Sequence, residues 1–211
     1  MELDGLILAG GRSARMGGNH KGELIYRKHT FVERILKEFE KEADNIWLSY
    51  GTEKKREYPG CRIVMDICPD CGPIGGLHAG LCACRSDGLM AAACDMPLLE
   101  IELFRYLHRQ MEQKQRETGT FFQGAVPVTN GRMHPLAAIY RKDMKEILEE
   151  QIRKENYRMT DALKRADILY ADVTDQKEFE RMLRNVNTAS EYEALVWAEE
   201  KREEQRAGWK R

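Results

Sequence analysis

Short, wholly apolar runs alternate with amphipathic helical patterns along this chain, and that alternation constrains its fold more than any other feature. Predicted strands cover 6–9, 45–49, 61–65, 89–94 and 168–173. The run LMAAAC at 89–94 is too short for a typical helix and has no polar face, which predicts a central parallel strand. Strands separated by helices are typical of βαβ units. We therefore expect a single-domain α/β protein, a Rossmann-like three-layer αβα sandwich with a mostly parallel sheet and a small β-hairpin.

Helical patterns fill most of the intervals between these runs. Thr30 is a predicted N-cap for a helix whose apolar residues recur at the helical period over 31–43. Gly72-Pro73 predicts the start of a second helix. Further helices are predicted at 100–116, 142–154 and 159–166, and a last one after the capping-box pattern TASE at 188–191. The hairpin is predicted from 121–128 and 136–140, which flank the turn TNGR.

Size and charge limit the function classes. The 211 residues predict one domain over 1–198, followed by a charged tail over 199–211. Lys+Arg number 34 and Asp+Glu number 35, and this balance argues against a protein that coats nucleic acid. No stretch approaches the about 18 apolar residues of a membrane span, and the amino terminus lacks the basic region of a signal peptide. We expect a cytoplasmic protein whose partners include neither nucleic acid nor a membrane.

Six cysteines raise the question of metal binding or redox chemistry. In a cytoplasmic chain they are expected as thiols and not as a disulfide framework. Cys68 and Cys71 have CxxC spacing, but Cys82 and Cys84 would point about 200° apart on a helix and could not easily close on the same ion. Ordinary buried or loop thiols are therefore favoured over a zinc or redox site. The six residues are Cys61, Cys68, Cys71, Cys82, Cys84 and Cys94.

A loop rich in glycine and basic residues follows the first strand, from Gly10 to Gly22. Its glycines, Gly11 included, let backbone N–H groups approach an anion, while Arg15 and Lys21 supply positive charge, an arrangement that suits a polyphosphate. A P-loop needs Gly-Lys-Ser/Thr, which is absent, and so is the GxGxxG of a dinucleotide fold. The remaining alternative is a flexible basic surface loop.

Two carboxylates follow predicted strands at the edge where an open parallel sheet binds its ligands. Asp95 comes directly after LMAAAC, and Asp66 ends the strand at 61–65. Mg²⁺ prefers one or two carboxylates together with phosphate oxygens and water, so Asp95 beside a phosphate loop is a candidate metal ligand. The alternative for Asp95 is a helix cap, and for Asp66 an ordinary turn residue.

Five motifs resemble those of the molybdenum cofactor guanylyltransferases, within the wider superfamily of nucleotidyltransferases. The resemblance covers the chain from the first strand to about residue 195. The motif LAGGRSARMG alone is typical of the whole nucleotidyltransferase superfamily. The motif NVNT near the carboxyl end narrows the resemblance to the molybdenum cofactor guanylyltransferases. In order, the motifs are LAGGRSARMG at 8–17 with Lys21, GPIGG at 72–76, CDMP at 94–97, HPLAA at 134–138 and NVNT at 185–188.

This resemblance implies an activity and a set of roles. The enzyme would join GMP from GTP to the phosphate of molybdopterin, release pyrophosphate and require Mg²⁺ held by Asp95. Arg15, Lys21 and Asp95 would be catalytic, while His134, Asn185 and Asn187 would face the pterin. Possible protein partners are those that insert molybdenum and the molybdoenzymes that accept the product. The nucleotide-binding set would be Leu8, Ala9, Gly10, Gly11, Lys21, Ser49, Asp66 and Asp95.

Two departures from the family pattern leave alternatives open. His20 stands where an Asp is common before the loop lysine, and Ser49 stands where an Asn often contacts the nucleotide. Both bear on the choice of base and leave CTP open. The first alternative is therefore a related nucleotidyltransferase, one that uses CTP or one that acts on a sugar or polyol phosphate. The second is a nucleotide-binding cofactor chaperone without turnover. His134 could instead end the turn at 129–132, and the asparagines could belong to a polar turn.

Overall fold

A computed structural model describes residues 1–10, 21–51, 56–68 and 70–208, with the backbone alone at 21, 199–200 and 202–208. Gly11, Arg15 and His20 lie outside the described residues. The strands are β1 (Leu3–Leu8), β2 (Ile25–Tyr26), β3 (His29–Thr30), β4 (Ile46–Ser49), β5 (Arg62–Val64), β6 (Gly88–Ala93), β7 (Gly124–Thr129), β8 (Arg132–Met133), β9 (Ala137–Arg141) and β10 (Ile168–Asp172). The helices are α1 (Phe31–Phe39), α2 (Pro73–Ala83), α3 (Ile101–Thr118), α4 (Met144–Arg153), α5 (Met159–Leu163), α6 (Lys177–Met182) and α7 (Ala189–Gly208), with a 3₁₀ turn at Lys21–Glu23.

Most strands of the main sheet are parallel, as predicted. Its order is β10-β7-β9-β6-β1-β4-β5, with β8 paired to β7. The four strands β6, β1, β4 and β5 run parallel, and β9 inserts antiparallel between β6 and β7. Leu8 pairs with both Ala93 and Ser49, and Ser49 pairs with Val64. The last residues of four neighbouring strands therefore meet at one edge of the sheet.

Helices cover both faces of this sheet and give the predicted αβα layers. On one face, α1, α3 and α6 bury Phe39, Phe104 and Met182 against the sheet. On the other face, α2, α4 and α5 pack in a second cluster that includes Leu77 and Leu148. The strand β6 is buried along its whole length between these layers, as expected for the apolar run at 89–94.

Local signals in the sequence are confirmed at several element ends. Thr30 Oγ1 accepts a hydrogen bond from the N–H of Glu33, whose carboxylate accepts the N–H of Thr30, forming a capping box at α1. Asn130 and Gly131 both have positive φ, 49° and 75°, at the turn between β7 and β8. Asn-Gly is the sequence that such a hairpin turn favours.

Several short elements were not predicted, among them the two-residue strand β8. The small hairpin of β2 and β3 leads into α1, and α7 packs against it, with Tyr192 Oη donating to the carbonyl of Ile25. Neither strand exceeds two residues, which is too short for an alternating pattern. The six-residue helix α6 was also not predicted. The expected charged tail begins as part of α7, which continues to Gly208.

One cysteine expectation is wrong. Cys68 and Cys71, expected as thiols, form a disulfide whose Cα atoms are 5.7 Å apart. The turn between β5 and α2 brings the two residues within the usual Cα separation of a disulfide. The other four cysteines are thiols outside any disulfide, as predicted. Among the described residues, no helix is long and apolar enough to span a membrane.

Candidate functional site at the carboxyl ends of the strands

The segment that leaves β1 is held between the ends of β4 and β6. The N–H of Ala9 donates to the carbonyl of Ser49 at 2.7 Å, and the N–H of Cys94 donates to the carbonyl of Leu8 at 3.0 Å. Gly10 lies so close to the next strand that a Cβ there would stand 2.9 Å from the backbone N of Gly51. Any larger residue at this position would push the chain away from β4, which explains the requirement for glycine here.

A hydrogen-bonded pair of side chains lies at the ends of β4 and β5. Ser49, buried with 2% of its surface exposed, donates its Oγ–H to Oδ1 of Asp66 at 2.8 Å. The N–H of Gly51 donates to the same Oγ at 3.3 Å. Partial burial raises the pKa of Asp66 above its usual value, while the Ser49 hydrogen bond opposes that rise. The structure thus brings two predicted nucleotide-binding residues into direct contact.

The N-terminal turn of α2 lies against this pair. A Cβ on Gly76 would stand 2.8 Å from Oγ of Ser49, and one on Gly75 would stand 3.1 Å from Oδ2 of Asp66. Cys71 also approaches Gly75, since its Cβ lies 3.4 Å from the point that a Cβ on Gly75 would occupy. The glycines of GPIGG therefore allow the helix to approach both side chains, which is the structural role of this motif.

Asp95 and the asparagine motif are brought together at the end of β6. The N–H of Val186 donates to the carbonyl of Asp95 at 2.7 Å, so Asn185 and Asn187 flank a residue bonded directly to the candidate metal ligand. Asp95 is partly exposed, as is Asn185, and Asn187 is exposed. The N–H of Asn187 donates to the carboxylate of Glu191 at 2.6 Å, which fixes the turn before α7.

The backbone of Lys21 lies near the end of β6, because the next residue, Gly22, packs against Cys94. Gly22 is buried, and a Cβ there would stand 2.8 Å from Cγ2 of Val32 and 3.7 Å from Cβ of Cys94. The 3₁₀ turn that contains Lys21 is thereby packed beside the residue that precedes Asp95. Of the predicted basic loop, this turn and Gly10 are the parts that the structure describes.

His134 lies at the same edge of the sheet, within the hairpin of β7 to β9. Its Nε2 is 2.6 Å from Oγ1 of Thr129, and its N–H donates to the carbonyl of Pro127 at 3.0 Å. Burial, and next the charge of Arg132, lower the pKa of His134, which favours the neutral ring near pH 7. Leu136, two residues on, accepts the N–H of Ala93 at 2.8 Å. The imidazole therefore has a partner inside the hairpin and is held near the end of β6.

A further carboxylate, which we did not predict from the sequence, lies at the opposite edge of the sheet. Asp4 is fully buried and accepts hydrogen bonds from Asn45 Nδ2, Trp47 Nε1, Ser86 Oγ and the N–H of Arg85. Burial alone would raise the pKa of Asp4, but these four donors together lower it. The available signal was an acid inside the apolar run LDGLIL of β1.

Comparison with known proteins shows the family to which the chain belongs. Residues 5–169 match the family model described as the MobA-like NTP transferase domain. The chain belongs to the MobA-like NTP transferase family. It is therefore a nucleotidyltransferase. Among its relatives, a probable molybdenum cofactor guanylyltransferase of Clostridium perfringens is 32% identical over 90% of this chain and 94% of the relative.

Solved structures share the MobA-like fold. The molybdopterin-guanine dinucleotide biosynthesis protein A of Archaeoglobus fulgidus superposes with a TM-score of 0.75 at 21% identity, covering 94% of this chain and all of that one. The 2-C-methyl-D-erythritol 4-phosphate cytidylyltransferase of Thermus thermophilus gives a TM-score of 0.66 at 14% identity, covering 94% of this chain and 98% of that one. At these identities the similarity establishes the fold, which is the predicted α/β architecture.

Proposed function

We propose that this MobA-like chain transfers GMP from GTP to the phosphate of molybdopterin and releases pyrophosphate. The observation that carries the proposal is the direct hydrogen bond between Asp95, at the end of β6, and the NVNT segment. Through the main-chain carbonyl of Asp95, this bond holds the motif that marked the guanylyltransferases in the sequence beside the residue that is the candidate metal ligand. The names of the curated relatives support the same assignment.

The donor set at the end of β6 fits a magnesium ion bound mainly by its substrates. Across the described ranges, no cluster of three or more His, Cys, Asp or Glu side chains is placed to hold a metal. Asp95 is a partly exposed carboxylate beside the chain that leaves β1. Mg²⁺ binds readily through one or two carboxylates plus phosphate oxygens and water, so Asp95 would hold it. When bound, the ion would neutralise negative charge on the phosphates.

The chain's own residues would bind and align the reactants. A phosphate oxygen of the acceptor attacks the α-phosphorus, a new P–O bond forms, and the bond to the bridging oxygen breaks to release pyrophosphate. A phosphate dianion is already ionised near neutrality, so no strong general base is needed. The backbone of Leu8, Ala9 and Gly10 would lie along the nucleotide, while Lys21 and Arg15 would hold the leaving oxygens. Arg15, like Gly11, is assigned from the sequence alone.

The two substrates would enter from opposite sides of Asp95. Ser49 and Asp66 lie towards β5 and would serve the nucleoside. Asn185, Asn187 and His134 lie towards β6 and β9 and would serve the pterin. This division follows the strand order, in which β1 separates β4 from β6.

Product analysis tests the proposal. The purified protein is incubated with Mg²⁺, molybdopterin and either GTP or CTP, and pyrophosphate and the dinucleotide are quantified. We expect Mg²⁺-dependent pyrophosphate release with GTP, in a one-to-one ratio with the guanine dinucleotide. Product from CTP alone would contradict the choice of base, and turnover only with a sugar or polyol phosphate would contradict the acceptor. Binding of GTP without any turnover would indicate a cofactor chaperone.

A further inference from the structure

The hydroxyl of Ser49 has no donor left to offer a ligand. A serine hydroxyl carries one proton, and the proton of Ser49 is directed to Oδ1 of Asp66. The same oxygen accepts the N–H of Gly51, and the side chain is buried beneath Gly76. Ser49 thus stands where the family often has a nucleotide-contacting Asn, yet in this chain it faces another protein side chain.

The second carboxylate oxygen of Asp66 has a different environment. Oδ2 accepts no hydrogen bond from the part of the chain that the structure describes, and the whole side chain is partly exposed. Gly51 and Gly75 lie beside it, and Cβ atoms on them would stand 4.0 and 3.1 Å away. With hydrogen in place of a side chain at both positions, neither glycine fills the space next to Oδ2. Among the described residues, one oxygen of Asp66 therefore has a protein donor and the other has none.

We propose that Ser49 is a positioning residue, which holds Asp66 so that Oδ2 accepts a hydrogen bond from the nucleoside of the bound nucleotide. The inference rests on the proposed function, because it assumes that a nucleotide binds at this edge. Two kinds of nucleoside group could donate to a carboxylate, an N–H of the base or a hydroxyl of the ribose. In either case Ser49 acts on affinity only through Asp66.

A double-mutant cycle tests this dependence. The dissociation constant for GTP with Mg²⁺ is measured by calorimetry for the unaltered protein, Ser49→Ala, Asp66→Ala and the double variant. We expect Ser49→Ala to weaken binding about tenfold, since hydrogen bonds to a charged group are stronger than neutral ones. In the Asp66→Ala background the same change should have no effect. Ser49→Cys keeps nearly the volume of serine with a weak donor, and it should match Ser49→Ala.

A matched control lies at the other edge of the sheet. Ser86 donates to Oδ1 of Asp4 at 2.8 Å, the same bond at the same distance as between Ser49 and Asp66. Ser86→Ala should lower stability without changing GTP affinity. Equal and additive losses of affinity from Ser49→Ala and Asp66→Ala would overturn the inference. So would unchanged affinity in Ser49→Ala when the unaltered protein binds GTP. If the unaltered protein binds no nucleotide, the proposed function fails first and the inference falls with it.

Two analogues test two of the candidate donors, the 2-amino group of guanine and the 2′-hydroxyl of ribose. ITP lacks the 2-amino group of guanine, and 2′-deoxy-GTP lacks one ribose hydroxyl. The analogue without the donor should bind the unaltered protein more weakly, and Ser49→Ala should then have little further effect on it. If both analogues retain the full tenfold effect of Ser49→Ala, neither group is the donor, and a direct contact to Asp66 through them is refuted.

Discussion

Asp4 and Asp66 lie at opposite edges of the same sheet, and each accepts a serine hydroxyl at 2.8 Å. Asp4 is fully buried and has three more donors from the chain. Asp66 is partly exposed, and within the described residues its remaining oxygen accepts no hydrogen bond. Burial raises the pKa of both, but only Asp4 has enough donors to bring it below the usual value. The number of internal donors, more than burial, separates the structural carboxylate from the one available to a ligand.

The topology explains why the two edges differ. The short segment 84–87 joins α2 to the amino end of β6, and within it the N–H of Arg85 and Oγ of Ser86 donate to Asp4. At the other edge the carboxyl ends of β6, β1, β4 and β5 lie side by side, and this is where open α/β sheets bind their ligands. We therefore expect substitutions at the amino ends of these strands to lower stability, and substitutions at their carboxyl ends to lower enzymatic activity.

The largest effect is expected at the end of β6. Asp95→Ala and Lys21→Ala should each lower kcat/KM for GTP by more than about a hundredfold, because even outer-shell partners of a metal are worth ten- to a hundredfold. Circular dichroism and thermal unfolding should show that both variants stay folded. Ser86→Ala provides the control at the other edge. Near-normal rates of pyrophosphate release in both Asp95→Ala and Lys21→Ala would contradict the assignment of catalysis to the carboxyl ends of the strands.

The next effect is on stability. Asp4→Ala removes the acceptor of four donors and should lower the free energy of unfolding by about 3 kcal/mol, since buried groups that lose their partner are costly. Asp66→Ala leaves only the Ser49 hydroxyl without its acceptor and should cost about 1 kcal/mol. Urea unfolding of both variants measures the difference. Equal losses would mean that donor number does not separate the two carboxylates.

The smallest effect is the pH dependence, and its sign differs between the two residues. Asp4 has a lowered pKa in the folded protein, so its stabilisation is complete above the unfolded pKa of about 3.9 and is lost as pH falls through the folded pKa. Asp66 has a raised pKa, so the fold loses stability as pH rises from about 3.9 through the folded value. As pH rises through that range, the Asp66→Asn variant should therefore become more stable relative to the unaltered protein.

The difference between the unaltered protein and Asp4→Asn should instead shrink on acidification below about 3.9. Urea unfolding measured from neutral pH down to well below the unfolded pKa of about 3.9 compares the two variants over the ranges where each group titrates. Slopes of the same sign for both variants would contradict the assigned directions of the pKa shifts.

The sheet could be predicted from the sequence because its signals are local. The run at 89–94 has no polar face, and Asn130-Gly131 specifies its turn within two residues. The disulfide between Cys68 and Cys71 could not be predicted, since the CxxC spacing does not reveal how far apart the two Cα atoms lie. The hairpin of β2 and β3 was missed because its strands have two residues each, and its contact with α7 joins segments far apart in the chain.

The candidate site was predictable only as a set of residue types at strand ends. Nothing in the sequence states that Ser49 faces Asp66, because that contact depends on the register between β4 and β5. The bond from Val186 to Asp95 likewise joins segments distant in the chain. Asp4 was overlooked because a carboxylate in an apolar run is explained only by donors from other segments of the chain.

The most direct test of nucleotide binding at the carboxyl edge is a thermal-shift titration with GTP, CTP, ATP and UTP, each with Mg²⁺. A ligand at 100 times its dissociation constant stabilises the fold by about 2.7 kcal/mol, which is readily detected. The account predicts a shift with GTP that far exceeds the others, that Asp66→Ala diminishes and that Ser86→Ala preserves. The absence of a shift with every nucleotide, or a shift with CTP alone, would contradict it.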